Sequence, residues 1–364
     1  MPILIFYLLT LAIFGAIYGT LALGLNIQWG YTGILDFMYI AFVAVGGYVT
    51  SLLMLQPSQP ALGETYVLGL NWPFIPAILV GGLAAALLAF IVGILSLNRL
   101  RSDYFAIVTV AVGLVLYTIA GNDTPLVNGW DGLSAIPQPF QDALNLDYNT
   151  YQFFFLGMCI VILILVYIFS ERLYRSPFGR ALRSVREDEM VAQGLGKNVF
   201  ALRLKAFVIG AFIAGIGGAL LVIYVDAFNP SAWTTGETFF LWAALLLGGS
   251  ANNRGALLGA LIVPVLFAEA TRLLPNILPP NILSPQYVDS FRYIAIGILL
   301  ILTVRFRPQG ILAEKRFRVR KSKLLEPAVA TAGGPVPVTD ADLADNPGTL
   351  TDGNVTPGEE GNTL

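Results

Sequence analysis

Nine apolar stretches recur along the chain, at roughly 3–25, 33–55, 74–97, 104–121, 152–171, 203–225, 237–250, 255–274 and 289–304. Within each the apolar residues run continuously. They do not alternate with polar ones, as the strands of a membrane barrel would. A helix of 23 residues rises about 34 Å at ~1.5 Å per residue, enough to cross a hydrocarbon layer of ~30 Å with some tilt. Lipid offers no partner to backbone N–H and C=O groups, so spans of this kind must be helices. The pattern therefore predicts an all-α fold, a polytopic integral membrane helical bundle of about eight to ten transmembrane helices. The seventh stretch is short for a full crossing.

The polar positions between the stretches alternate in character. Arg99 and Arg101 follow the third stretch, a run from Arg172 to Lys205 fills the gap after the fifth, Arg254 follows the seventh, and Arg305 to Lys323 follow the ninth. The intervening loops are acidic or uncharged: 56–73 holds only Glu64, 122–151 holds Asp123, Asp131, Asp142 and Asp147, and 226–236 holds only Asp226. Basic loops stay in the cytoplasm, so the N-terminus is expected outside and the C-terminus inside. The first stretch has no basic residues before it and is expected to be a retained span rather than a cleaved signal. From Glu326 onward the chain carries seven acids and no Lys or Arg, with much Pro, Gly, Thr and Ala. Such a segment has little to bury. The expected organisation is a membrane domain over 1–323 and a disordered acidic cytoplasmic tail over 324–364, either a partner-binding tail or a solvated extension.

Composition narrows the chemistry. The chain is 56% hydrophobic and 12% charged, against about 25% charged in soluble domains. It has no histidine and one cysteine, Cys159, so histidine catalysis and an intrachain disulfide are excluded and a metal site is not expected. There is no GxxxxGK[ST], HExxH or GxSxG motif. These absences point away from an enzyme and from P-loop ATP hydrolysis. They leave transport with energy from elsewhere, by a membrane protein with no cofactor of its own and no nucleic-acid partner, with the lipid bilayer as its surroundings.

The segment 176–205, SPFGRALRSVREDEMVAQGLGKNVFALRLK, is a charged amphipathic stretch wedged between apolar ones. Ser176 and Pro177 suit a helix start. Ala181, Leu182, Val185 and Met190 supply an apolar face, and Arg180, Arg183, Arg186 and Glu187 a polar one. Gly194 and Gly196 end the helix. Such a helix on the cytoplasmic face, within a segment 173–202, can pass a push from a partner to the flanking spans. The plainer reading is a helix resting on lipid headgroups, but the acidic triplet Glu187-Asp188-Glu189 would be repelled there. The residues assigned to this coupling surface are Gly179, Arg180, Ala181, Arg183, Arg186, Glu187, Asp188, Gly194 and Gly196.

Glycines crowd the spans, and close helix packing accounts for most of them. A sharper reading applies to 26–33, where Asn26, Gln28, Trp29 and Tyr31 interrupt the apolarity: a helix break lining a path. Asn26, Gly30, Gly33, Asp36, Gly46 and Gly47 are the translocation-path candidates. Ionisable groups near the membrane are functional candidates by default, but Asp36, Glu237, Glu269, Arg272, Asp289 and Arg292 lie near span ends, where snorkelling or solvation also explains them.

The run GRALRSVREDEMVAQGLGKNVFALRLKAFVIGAFIAGIGGAL, residues 179–220, resembles the cytoplasmic loop and following span of bacterial branched-chain amino-acid ABC permeases of the LivM type. LRSDYFAIVTVAVG (100–113), NGWDGLSAIP (128–137), LLGGSANNRGALLGA (246–260) and RFRPQGIL (305–312) are similar to other parts of the same family, so the resemblance covers about residues 20–313. It implies an inner-membrane subunit of a bacterial ABC importer. Such a subunit pairs with a second homologous permease, two cytoplasmic ATP-binding-cassette ATPases, which bind the ATP, and an extracytoplasmic substrate-binding protein. The segment 176–199 would dock on an ATPase, and the loops 122–150 and 226–236 would meet the binding protein. The sequence departs from the family after Gly33, where Ile34-Leu35-Asp36-Phe37 replaces a small-residue pattern. Branched-chain or other neutral amino acids are the expected cargo. Urea or a short amide, carried by related permeases, is the alternative. An ion-coupled transporter or channel using Asp36 and Glu237 is the reading from another class.

Overall fold

Each of the nine apolar stretches contains a helix among its described residues. The computed structural model describes residues 3–58, 66–141, 144–267, 288–307 and 309–314. α1 (Ile3–Leu25) continues through one π-helical turn, Asn26–Gly30. α2 (Tyr39–Met54), α3 (Phe74–Ser96) and α4 (Ser102–Asn122) follow, then a single turn α5 (Thr124–Val127) and strand β1 (Leu133–Ser134). The long α6 (Tyr148–Arg175) leads into two short helices, α7 (Pro177–Glu187) and α8 (Glu189–Gly194). α9 (Val199–Val225), β2 (Ala227–Phe228), α10 (Thr235–Gly248), α11 (Asn253–Ala260) with a π-helical continuation Leu261–Phe267, and α12 (Val288–Phe306) complete the order. Five of these are long and apolar enough to cross a membrane, with spans at Leu4–Gly30, Phe74–Ser96, Ser102–Asn122, Tyr148–Arg175 and Val199–Val225. The protein is a multi-pass, all-α membrane bundle. Its contacts cluster into a unit Met1–Lys315 and a unit Arg316–Leu364. The expected acidic tail, most of the basic run before it, Glu269 and Arg272 lie outside the described residues.

α9 is the most buried span, and α1, α2 and α3 pack around it. Helices in lipid gain little from the hydrophobic effect against one another, so their contacts rest on close fit between small residues. That is how Gly46 and Gly47 are used. The Gly46 Cα side is filled by Gly215 of α9, and a Cβ on Gly81 of α3 would lie 2.7 Å from the Gly46 carbonyl oxygen. A Cβ on Gly47 would meet Val222 at 2.6 Å, and one on Gly215 would meet the Gly82 Cα at 2.9 Å. The outward face of α3 carries Leu79, Leu83, Leu87 and Ile94, all exposed, as a lipid-facing surface requires.

One boundary differs from the apolar pattern. The second stretch begins at 33, but α2 begins at Tyr39. Gly33 adopts φ +71°, which reverses the chain out of the helix. Of the non-helical residues after it, Ile34, Asp36 and Met38 are nevertheless buried and Leu35 and Phe37 half-buried. Hydropathy reports burial and cannot separate a buried extended stretch from a helix.

At one end of the bundle the two acidic loops meet. β1 pairs antiparallel with β2, Leu133 opposite Phe228 and Ser134 opposite Ala227. Trp130 and Trp233 stand edge-on to Tyr117, with centroids 5.5 and 5.6 Å away. The loops 122–151 and 226–236, expected on one side of the membrane from their charges, thus form one surface.

Candidate functional site

At the other end the charged segment folds as two helices rather than one. The Ser176 hydroxyl accepts from the Gly179 N–H at 3.1 Å and caps α7, with Pro177 in its first turn. Gly179 sits against the carbonyls of Leu173 and Tyr174, where a side chain has no room. Asp188 is extended (φ −154°, ψ 111°), and its carboxylate accepts from the Val191 N–H at 2.9 Å, capping a second helix. Gly196 has φ +75°, and Asn198 caps α9 through the Ala201 N–H at 3.0 Å. Every helix start in this segment is therefore written locally.

The restart at Asp188 corrects one expectation. Leu182 and Val185 are buried as the apolar face of α7, and Ala181 is half-buried. Met190, expected on that face, is 81% exposed. The axis changes at Asp188, so the helical spacing that linked Met190 to Leu182 does not carry across. Met190, Val191 and Leu195 instead form an apolar group on the outside of α8, with Leu195 73% exposed. Only Ala192 of α8 is buried, against Val185 and Val199.

The charges also divide between inside and outside. Arg180, Glu187 and Asp188 are exposed, as are Gly194 and Gly196. Arg183 lies 4.0 Å over the Tyr174 ring, a cation–π contact. Arg186 turns inward: one guanidinium nitrogen donates to the Gly30 carbonyl and another to Glu314 at 2.7 Å. Arg203 on α9 reaches Glu189 at 3.2 Å. Arg183 and Arg186, expected on the polar face and the coupling surface, reach Tyr174, Gly30 and Glu314 and fasten α7 to the bundle.

Below α7 lies a buried polar junction at the π-helical end of α1. A π turn shifts carbonyls away from their usual partners, and side chains use the freed positions. The Asn26 side chain accepts from the Ala251 N–H at 2.8 Å and donates to Asn253 at 3.1 Å. The same Asn253 oxygen accepts from the Tyr31 hydroxyl at 2.6 Å, and the Asn253 amide donates to Glu171 at 3.0 Å. Gln28 donates to the Phe207 carbonyl of α9 at 3.0 Å. The junction ties α1, α6, α9 and the start of α11 together, and Arg186 joins it through Gly30.

Three path candidates belong to this junction. Asn26 is its bridge, Gly30 presents the carbonyl that Arg186 holds, and Gly33 turns the chain beside the Arg186 side chain, 3.2 Å from where a Cβ would stand. Asp36 lies in the buried stretch beyond, where one carboxylate oxygen accepts from the Met38 N–H at 3.0 Å and the Asp36 carbonyl accepts from the Trp242 indole at 2.9 Å. Gly46 and Gly47 lie apart, in the helix contacts described above. Sequence reasoning placed Tyr31 in the polar interruption at 26–33 but gave no role to Glu171, Asn253 or Glu314. The signal for Asn253 was present: two adjacent asparagines, Asn252 and Asn253, interrupt a small-residue apolar stretch. Among the described residues no group of three or more Cys, Asp or Glu could hold a metal ion.

Residues 7–304 match the family model described as branched-chain amino acid transport system / permease component. The chain belongs to this family. A probable branched-chain amino acid transport permease protein LivM of Methanocaldococcus jannaschii is 29% identical, over 82% of this chain and 91% of the relative. The high-affinity branched-chain amino acid transport system permease protein LivM of Escherichia coli K12 is 30% identical, over 82% and 68%. A probable LivH permease of Methanocaldococcus jannaschii is 27% identical, over 80% and 87%. No solved structure matches. The resemblance drawn from the 179–220 run is thus the family itself, and these relatives favour amino-acid transport over the urea alternative.

Proposed function

We propose that this permease works as one of two paired membrane subunits in an ABC importer of branched-chain or other neutral amino acids. Two separate ATPases bind and hydrolyse the ATP, and this chain contributes no nucleotide site and no enzymatic step. The α7–α8 end faces the cytoplasm, in keeping with its basic residues, and the C-terminus emerges on the same side. The surface built on β1 and β2 faces outward and receives the binding protein, and cargo crosses between the two permeases.

One observation carries the reading of α7 and α8. A helix with Met190, Val191 and Leu195 exposed stands at the end of the bundle, fixed to it through a neighbour whose arginine grips the end of α1. Large apolar side chains in such a place are suited to fill a groove on a partner. The ATPase takes α8 as a knob, α7 carries the displacement, and Arg186 passes it to α1. Leu195→Asp tests the contact. The variant is expected in the membrane at the normal level, with its co-purification with the ATPases reduced about 30-fold, as for a hot spot of ~2 kcal/mol. Normal co-purification would contradict the assignment.

A further inference from the structure

On the outer surface of the bundle, α3, α6 and α9 leave a furrow with apolar walls. Two hollows of about 790 and 410 Å³ share Leu165, Val166 and Ile216. The α6 wall extends from Phe154 to Phe169, about 22 Å at ~1.5 Å per residue, against a hydrocarbon layer of ~30 Å. Leu79, Leu83, Leu165 and Phe169 form the rims, and Phe212 and Ile216 the floor. An amino acid's ammonium and carboxylate would find no partner here, so the furrow is not a cargo site. A docking helix favours a stripe of small residues, whereas these rims are branched and aromatic.

The furrow ends in positive charge. Phe169 of α6 and Val208 of α9 both line its last part, and the two helices run in opposite directions along it. Arg172 lies one turn beyond Phe169, and Lys205 one turn before Val208. Each is therefore about 4.5 Å past the last apolar residue on its wall, at the same level and on the furrow's side. Both are exposed, and among the described residues neither has an ion-pair or hydrogen-bond partner. The neighbouring acid, Glu171, is turned away toward Asn253 and Arg175.

We propose that this furrow binds an anionic phospholipid, with an acyl chain along α6 and the phosphate between Arg172 and Lys205. An unbroken apolar trough that ends in two unpaired cations at headgroup depth complements that molecule at both ends. The site does not depend on the transport reading.

The test offers the purified full-length chain equal amounts of dioleoylphosphatidylglycerol and dioleoylphosphatidylcholine in detergent and measures retained lipid by native mass spectrometry. The expected result is a preference for phosphatidylglycerol of about 30-fold, the effect of two basic contacts at a membrane surface. The exposed double variant R172Q/K205Q should lose that preference while eluting as the unaltered chain does. Equal retention of the two lipids by the unaltered chain, or an undiminished preference in the variant, overturns the proposal. A photo-crosslinker at Leu165 in the assembled transporter should capture lipid. Capture of another polypeptide at that position would mean a helix covers the furrow, and would also overturn it.

Discussion

α7 and α8 come from one charged segment of the sequence and relate to the bundle in opposite ways. α7 buries Leu182 and Val185 and turns Arg183 and Arg186 onto Tyr174, Gly30 and Glu314. α8 buries Ala192 alone and holds Met190, Val191 and Leu195 outward. Burying two aliphatic side chains is worth roughly 1.5–3 kcal/mol each, so α7 moves with the helices beneath it. α8 has no such anchor beyond Glu189–Arg203 and the turn at Gly196. The contrast separates two tasks that one amphipathic helix would have to share. In the proposed function α8 supplies the surface for the ATPase and α7 the connection to the spans.

The largest expected effect comes from making one change on both helices. Leu182→Asp puts a carboxylate into a fully buried position, at a cost large enough to lose the folded protein from the membrane. Leu195→Asp places the same group in solvent and should leave the amount of membrane-embedded protein unchanged, while ATPase association falls as stated above. Quantitative membrane immunoblots and co-purification read the two outcomes. If both variants fold equally well, the division between the helices is wrong.

A smaller effect is expected from Asn253→Ala. The Asn26 amide loses its acceptor, at about 1–3 kcal/mol for a buried orphan, and the Tyr31 hydroxyl is left with only its longer bond to the Ser170 carbonyl at 3.3 Å. The expected outcome is a lower melting temperature in detergent, with ATPase association intact because α8 is untouched. Loss of association would show that the junction shapes the docking surface as well. The smallest effect belongs to Asp188→Ala, which removes the cap of α8 at about 1 kcal/mol. Association should weaken by a few fold, with melting unchanged.

Much of the architecture was legible because hydrophobic runs report helices directly. All nine runs hold a helix among their described residues, and the alternation of loop charge anticipated that 122–151 and 226–236 would share an end of the bundle. The helix caps were legible only in part. Ser176 and Pro177 announced α7, but Asp188, read as one of three acids, is the cap that divides the segment. That division moved Met190 from the interior to the surface. The inward turn of Arg183 and Arg186 was not legible, since their partners Tyr174, Gly30 and Glu314 are distant in sequence or carry no motif. The junction was half visible. The polar interruption at Asn26 marked it, whereas Asn253 and Glu171 become its members only when α6 and α11 meet α1.

In the proposed mechanism Arg186 links the ATPase-docking helices to α1. The most direct test of that link is uptake and ATP hydrolysis measured in the same vesicles, for the assembled transporter carrying Arg186→Ala. Removing a charge-assisted pair and a bond to Gly30 forfeits roughly 1.5–3 kcal/mol for each hydrogen bond. The account predicts hydrolysis close to the unaltered level, with substrate carried per ATP reduced at least about tenfold. An unchanged ratio of uptake to hydrolysis would contradict it.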